Sequence, residues 1–306
     1  MKKKTIKGDW MKIAIIGGGA IGLLFATYLS NNHEVAILCR RQEQVERILQ
    51  KGVTIERDHH NIHAQVHATT DWRELSAFDW IIVTVKQYDI QSVLAELEKN
   101  IFTKANLLFV QNGMGHIEYI SKLIHEHIFV ATVEHGVSKI NDNMAKLNGL
   151  TRTNIAAYRG ESRRYEQLQT REFPFLLHSN YELMLQRKLV INAVINPLTA
   201  LFRVTNGQLI TNPYFKKIMN ELYDEIILCL PKIKEVVTIS DVEHICQVTH
   251  TNQSSMLKDI IHQRPTEVEA ILGYIRNKAR EKQLNLPLTH FLYDSIKGLE
   301  QSTGAS

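Results

Sequence analysis

The chain reads as two parts, an α/β domain built on a parallel sheet and, after it, an all-α domain. Three observations predict this. The stretch MKIAIIGGGAIGLLFATYLS, Met11–Ser30, holds a short buried-strand pattern, a glycine turn and a helix start in immediate succession. Short apolar runs of strand length then recur as far as Leu177. Beyond Ser179 they give way to helical periodicity.

Lys12–Ile16 is a near-continuous apolar run, the pattern of a central parallel strand covered on both faces. Gly17, Gly19 and Gly22 follow as G-x-G-x-x-G. The first glycine allows a tight turn, the second lets a pyrophosphate approach the backbone, and the third brings the helix close to the strand. The helix N-terminus adds free N–H groups and a partial positive charge for an anion. The spacing alone would equally suit a plain strand-to-helix turn. Its place between an apolar strand and an apolar helix marks a Rossmann-type dinucleotide-binding domain, with Gly17, Gly19, Ala20, Ile21 and Gly22 as cofactor-binding residues.

The second strand, Glu34–Leu38, is followed by Cys39, Arg40 and Arg41 where an NAD site would place a carboxylate. A guanidinium pairs with a 2′-phosphate in a forked geometry, so NADPH is expected over NADH, with Arg40 as the contact. Two arginines can also simply open a solvated helix, here Gln44–Lys51.

Next come strands Val53–Glu56 and Ile62–His67, joined by a polar turn over Arg57–Asn61. His59, His60, His63 and His67 cluster there without carboxylate or cysteine partners nearby, which favours an exposed hairpin over a metal site. Asp79–Val85 is a buried strand ending at Lys86, and Leu107–Val110 delivers Gln111, Asn112 and Gly113 to the same carboxyl edge, where open α/β sheets bind ligands. Ile128–Tyr158 reads as antiparallel strands appended to the parallel sheet, and Phe173–Leu177 as the last strand. Helices are expected over Tyr181–Phe202, Tyr214–Leu230, Asp241–Thr249, Pro265–Gln283 and Pro287–Leu299. The domains are thus 1–10, an extension outside the fold with Met11 a second potential start; 11–178, dinucleotide-binding; and 179–306, helical and substrate-binding.

With 306 residues, 44% of them hydrophobic, the chain can bury cores for about two domains. Of its net charge of +4, four lysines and one aspartate in the first ten residues carry +3, so the body is no nucleic-acid binder by charge. MKKK before an apolar segment imitates a secretory leader, but glycines interrupt the segment and it reads independently as strand, turn and helix; no membrane association is expected. Cys39, Cys229 and Cys246 lack disulfide or zinc spacing and suit a reducing cytoplasm.

In the helical part, Lys188, Asn192 and Asn196 stand at i, i+4 and i+8 on one stripe among Leu189, Val190, Ile191, Ala193, Val194 and Ile195. Buried polar groups need partners, which either a substrate or neighbouring backbone could supply. The segment RKLVINAVINPLTALFRVTNGQL, Arg187–Leu209, resembles the signature of the ketopantoate reductases (2-dehydropantoate 2-reductases). So do QNGMG at Gln111–Gly115, VTVKQYD at Val83–Asp89, NQSSMLKDI from Asn252 and RPTEVEAILG ending at Gly273.

That resemblance runs in order along nearly the whole chain. It implies NADPH-dependent reduction of 2-dehydropantoate to (R)-pantoate in pantothenate biosynthesis, by a protein with a small-molecule substrate and compatible with a homodimer. It further implies that Lys188 is the proton donor, that Glu267 positions substrate and lysine beside the cofactor, and that Asn192, Asn196, Ser255 and Asn112 bind substrate. Lys86 and Asn112 lie near the nicotinamide and its ribose, and Asn206 is a neighbouring polar position. An ammonium suits this chemistry, because hydride addition to a ketone builds charge on oxygen. Read without the resemblance, Glu267 belongs to a helix start in which Thr266 and Glu269 form a capping box, and Ser254 or Ser255 caps the helix at Met256. His135 has no assigned role. The alternatives are a reductase of another branched 2-oxo acid and an NADPH-sensing protein without turnover.

Overall fold

The computed structural model describes residues 10–57, 60–100 and 104–302. It divides into two compact units: residues up to Gln111 with Glu118–Met184, and Asn112–Ile117 with Leu185 onward.

The first unit follows the order β1 (Lys12–Ile16), α1 (Ala20–Leu29), β2 (Glu34–Leu38), α2 (Gln42–Lys51), β3 (Val53–Arg57), β4 (His60–Ala64), β5 (His67–Thr69), β6 (Trp80–Val83), α3 (Ile90–Asn100) and β7 (Asn106–Phe109). The short α4 (His116–Ile120) precedes β8 (Ile128–Val133), β9 (Gly136–Asn141), β10 (Met144–Gly149), β11 (Thr153–Arg159) and β12 (Phe175–Leu177). Eight strands form one sheet in the order β12-β11-β8-β7-β6-β1-β2-β5. It is parallel from β5 to β8, and β11 runs antiparallel to β8. Strand order reverses on either side of β1, the switch point at which open α/β sheets bind ligands. Ile16 is in register with both Leu38 and Val83, so the carboxyl ends of β1, β2 and β6 line up there.

The apolar character of β1 and α1 has a direct cause in this packing. Ile13 and Ile15 are fully buried, and α1 is buried from Gly22 to Leu29. Besides β1 and β2, α1 meets β3, β4, β9 and β10, so nearly every side of it faces protein rather than water. Tyr28 stacks on Phe173 at 5.1 Å between ring centroids, and Phe25 meets the same ring edge-on at 5.0 Å.

Several expectations need correction. Of the strands within Ile128–Tyr158, only β8 and β11 join the large sheet, and β8 lies parallel to β7; β9 and β10 join β3 and β4 in a separate four-stranded sheet, ordered β4-β3-β10-β9, with β10 parallel to β3. Short amphipathic strands carry no local signal for their partner, and here α1 supplies the apolar surface that the second sheet covers. The run Ile62–His67 is likewise not one strand. β4 ends at Ala64, and His67 opens β5, paired with β2 in the large sheet. This disperses the histidines: His63 Nδ1 meets Thr54 Oγ1 at 3.2 Å and His67 Nε2 meets Glu74 Oε2 at 2.8 Å. His59 lies outside the described residues, among which no three His, Cys, Asp or Glu side chains are grouped to hold a metal ion.

The second unit is helical: α5 (Tyr181–Phe202, begun within the first unit), α6 (Gln208–Thr211), α7 (Pro213–Cys229), α8 (Ile239–Val248), α9 (Ser255–Ile261), α10 (Tyr274–Glu281) and α11 (Pro287–Ser302). Local chemistry sets its boundaries. Asn212 caps α7 ahead of Pro213, and Thr238 with Asp241 forms a reciprocal capping box on α8. The helix expected from Pro265 starts later, with a π turn over Glu269–Gly273 leading into α10. The Thr266–Glu269 capping box does not form. Thr266 is held by Glu300, and Glu269 accepts a hydrogen bond from Tyr293 Oη. Cys39, Cys229 and Cys246 are buried free thiols, and no described helix is long and apolar enough to cross a membrane.

Candidate active site

In the first unit the glycine turn closes the end of β1. Gly17 has φ +112°, a conformation that disfavours side chains, and its N–H donates to Leu38 O at 3.0 Å. Thr84 Oγ1, just past β6, donates to Gly17 O at 3.0 Å. A Cβ on Gly22 would sit 1.9 Å from Gly17 O, so only glycine permits this approach of helix to strand. A Cβ on Gly19, by contrast, would meet nothing within 4 Å. The first turn of α1, with Ala20 and Ile21, has no side-chain cap and no acidic residue. An open backbone beside an uncapped helix N-terminus at the switch point fits the diphosphate of a dinucleotide.

At the end of β2, Arg40 is exposed and has no ion-pair partner among the described residues, whereas Arg41 Nη2 contacts Asp142 Oδ1 at 2.5 Å. Lys86 opens a single 3-10 turn over Gln87–Asp89 after β6 and is partly buried. Gln111 is structural: its buried amide donates to Val83 O at 2.9 Å and Val85 O at 3.0 Å, tying the ends of β6 and β7 together. Gln111 and Asn112, expected at one edge, fall in different units.

Asn112 belongs to the second unit, where its Nδ2 donates to Glu267 Oε2 at 2.8 Å. Glu267 is 6% exposed, so its carboxylate needs such donors. Next to Asn112, Gly113 has φ +76°, and a Cβ there would lie 2.2 Å from Ala270 O in the π turn. Glycine therefore lets the Asn112 segment lie against the turn that follows Glu267. The other side of Glu267 is anchored through Thr266, whose N–H and Oγ1 donate to buried Glu300 Oε1 at 2.7 and 2.6 Å. Lys297 Nζ donates to the second oxygen of Glu300 at 2.6 Å. Nothing in the sequence around Glu300 signals this anchor, made across 34 positions of chain.

On α5 every residue from Leu189 to Ala200 is buried, with Asn192 8% and Asn196 6% exposed and Lys188 half-buried at the head of the stripe. Thr199 Oγ1 donates to Ser254 Oγ at 2.7 Å, and Ser254 accepts from Leu257 N at 3.1 Å. Ser254 is therefore the helix cap, while Ser255 is the exposed first residue of α9. Asn206 donates from Nδ2 to Thr249 Oγ1 at 2.9 Å, and its buried Oδ1 has no partner among the described residues. The second unit thus carries a lysine, two buried amides on one helix and a buried carboxylate bonded to a third amide. These groups can bind an oxygenated anion and deliver a proton to it.

Two buried histidines are held neutral. His116, in the Asn112 segment, is fully buried with neither ring nitrogen bonded among the described residues, and burial pushes its pKa from 6.5 to about 4. His135 is lowered to about 4 by burial, against an opposing pull from Glu134. It packs on Phe173 and accepts from Thr151 N at Nδ1, a structural role. Between pH 6.5 and 4 the unfolded chain takes up protons that the folded chain refuses. Stability is then fully present above the upper value and falls with pH, by on the order of 3 kcal/mol per histidine across that window. Urea denaturation at pH 7 and pH 4.5 should show this loss, and His116→Phe should reduce it. An unfolding free energy equal at both pH values contradicts the assignment.

Comparison with known proteins adds the relatives. Sequence profiles described as ketopantoate reductase PanE/ApbA and its C-terminal part match residues 13–160 and 180–300. The Bacillus subtilis 2-dehydropantoate 2-reductase is 39% identical over 298 residues, 96% of this chain and 99% of its own. The crystal structure of Bacillus subtilis panE superposes with a TM-score of 0.82 at 38% identity, covering 94% of this chain and 100% of that one. A D-mandelate dehydrogenase solved with NADH and anilino(oxo)acetate shares the fold, with a TM-score of 0.85 at 22% identity, over 96% of this chain and 100% of its own.

Proposed function

We propose, from the premise that this chain belongs to the PanE/ApbA ketopantoate reductase family, that it reduces 2-dehydropantoate to (R)-pantoate with NADPH, on the route to pantothenate and coenzyme A. The observation that carries this reading is the end-to-end relation to a protein named for that reaction, at 39% identity over 96% of the chain.

The residues supply matching chemistry. Bound NADPH contributes the hydride. Lys188 holds a proton at Nζ for the carbonyl oxygen, which gains negative charge as hydride adds to the adjacent carbon. Asn192, Asn196 and Ser255 hold the substrate, the two asparagines from within an apolar helix that excludes water. Glu267, fixed by Asn112 on one side and by Thr266 on the other, orients lysine and substrate. Arg40 takes the cofactor's 2′-phosphate, and Lys86 serves the ribose at the nicotinamide end. Three buried free thiols suit the cytoplasm.

The test is an NADPH-oxidation assay against a panel of 2-oxo acids. Turnover is expected with 2-dehydropantoate. A higher kcat/KM for another branched 2-oxo acid would move the assignment to that substrate, and NADPH binding without turnover on any would make the protein a sensor.

A further inference from the structure

No carboxylate follows β2 in the sequence, yet the fold brings one there. Asp142, in the turn between β9 and β10, places Oδ1 at 2.5 Å from Arg41 Nη2 and 3.1 Å from Lys139 Nζ. Gln44, buried on α2, donates to Gly18 O at 2.7 Å and to Asp142 O at 2.7 Å. A Cβ on Gly18 would lie 2.4 Å from Gln44 Nε2, so the side chain sits directly on the glycine turn. Buried Cys39, the residue after β2, feels the charges of Lys139, Asp142 and Arg41 together. The β9–β10 turn is thereby fastened to the point where a dinucleotide's adenine ribose lies in this fold class.

The charge arrangement there is uneven. Arg41 and Lys139 share one carboxylate oxygen, while Arg40, next to Arg41, is exposed and has no ion-pair partner among the described residues. Burial pushes the Asp142 carboxyl up, but the hydrogen bonds and charges of Lys139 and Arg41 outweigh it and hold the group ionised below its usual range. We propose that Asp142 is a specificity-determining residue: by engaging Arg41 and Lys139 it keeps two cations from the cofactor's 2′-phosphate, leaves that phosphate to Arg40, and so limits the preference for NADPH over NADH. The proposal rests on the reading of Arg40 as the 2′-phosphate contact.

Asp142→Asn removes the charge and keeps the backbone carbonyl that Gln44 grips. The ion pairs it loses are partly exposed, so the fold should tolerate it. Calorimetric titration of the full chain with NADPH and with NADH needs no substrate and reads the effect directly. The ratio of the two dissociation constants should shift toward NADPH by roughly 3- to 10-fold, through tighter NADPH binding with NADH nearly unchanged. Adding Arg41→Ala and Lys139→Ala should cancel the gain. An unchanged ratio, a shift toward NADH, or equal weakening of both cofactors, as a purely structural role would give, overturns the proposal. Arg40→Ala measured alongside separates the two ideas. If Arg40→Ala leaves the ratio intact, the Arg40 reading fails and the proposal falls with it; if Arg40→Ala lowers the ratio while Asp142→Asn changes nothing, the Arg40 reading stands and Asp142 alone is sunk.

Discussion

Truncating Lys188 to alanine should lower the turnover number by roughly 10² to 10⁴, the usual range for a positioned general acid, with NADPH affinity close to wild type. Lys188 heads a stripe that also carries Asn192 and Asn196, on a helix buried from Leu189 to Ala200. It is only half-buried itself, so the substitution leaves little cavity and the loss should lie in chemistry rather than folding. Because the acid must be protonated to act, wild-type activity should fall at alkaline pH, and that limb should be missing from the residual activity of the mutant. Lys188→Arg should keep the charge that stabilises the oxyanion but not a proton that can be given up, and should recover binding more than turnover. Wild-type turnover in Lys188→Ala, or the same alkaline limb in its pH profile, places the proton donor elsewhere.

The parts of this architecture that were legible in the sequence are those governed by local pattern. The run Lys12–Ile16 and the glycines at 17 and 22 read correctly because a central parallel strand must be apolar on both faces and the turn tolerates few alternatives at those two positions. The bounds of α5 were likewise readable, since its length and apolarity leave no other element possible. What was not legible depends on partners distant in sequence. The departure of β9 and β10 to a second sheet follows from the surface that α1 presents, not from their own residues. The delayed start of the helix after Glu267 follows from Glu300, and the carboxylate at the end of β2 arrives from Asp142. Between Ser254 and Ser255 the sequence could not choose, because either position can cap a helix. The pairing with Thr199 makes the choice for Ser254.

Replacing Arg40 with glutamate should weaken NADPH binding by more than about tenfold while leaving NADH almost untouched, since a charge-assisted bond is lost and a repulsion of the 2′-phosphate added. The two adjacent arginines differ in their surroundings. Arg41 is already engaged by Asp142, so Arg41→Glu would place two carboxylates together and disturb the turn of β9 and β10, affecting both cofactors. Arg40 is exposed at the end of β2 and breaks no described ion pair when changed, so its substitution should not alter thermal stability. The two variants should therefore separate by selectivity: Arg40→Glu changes the NADPH to NADH ratio, and Arg41→Glu changes both affinities in the same direction. Titration of each variant with both cofactors measures this. Equal losses for NADPH and NADH in Arg40→Glu would remove Arg40 from the 2′-phosphate site.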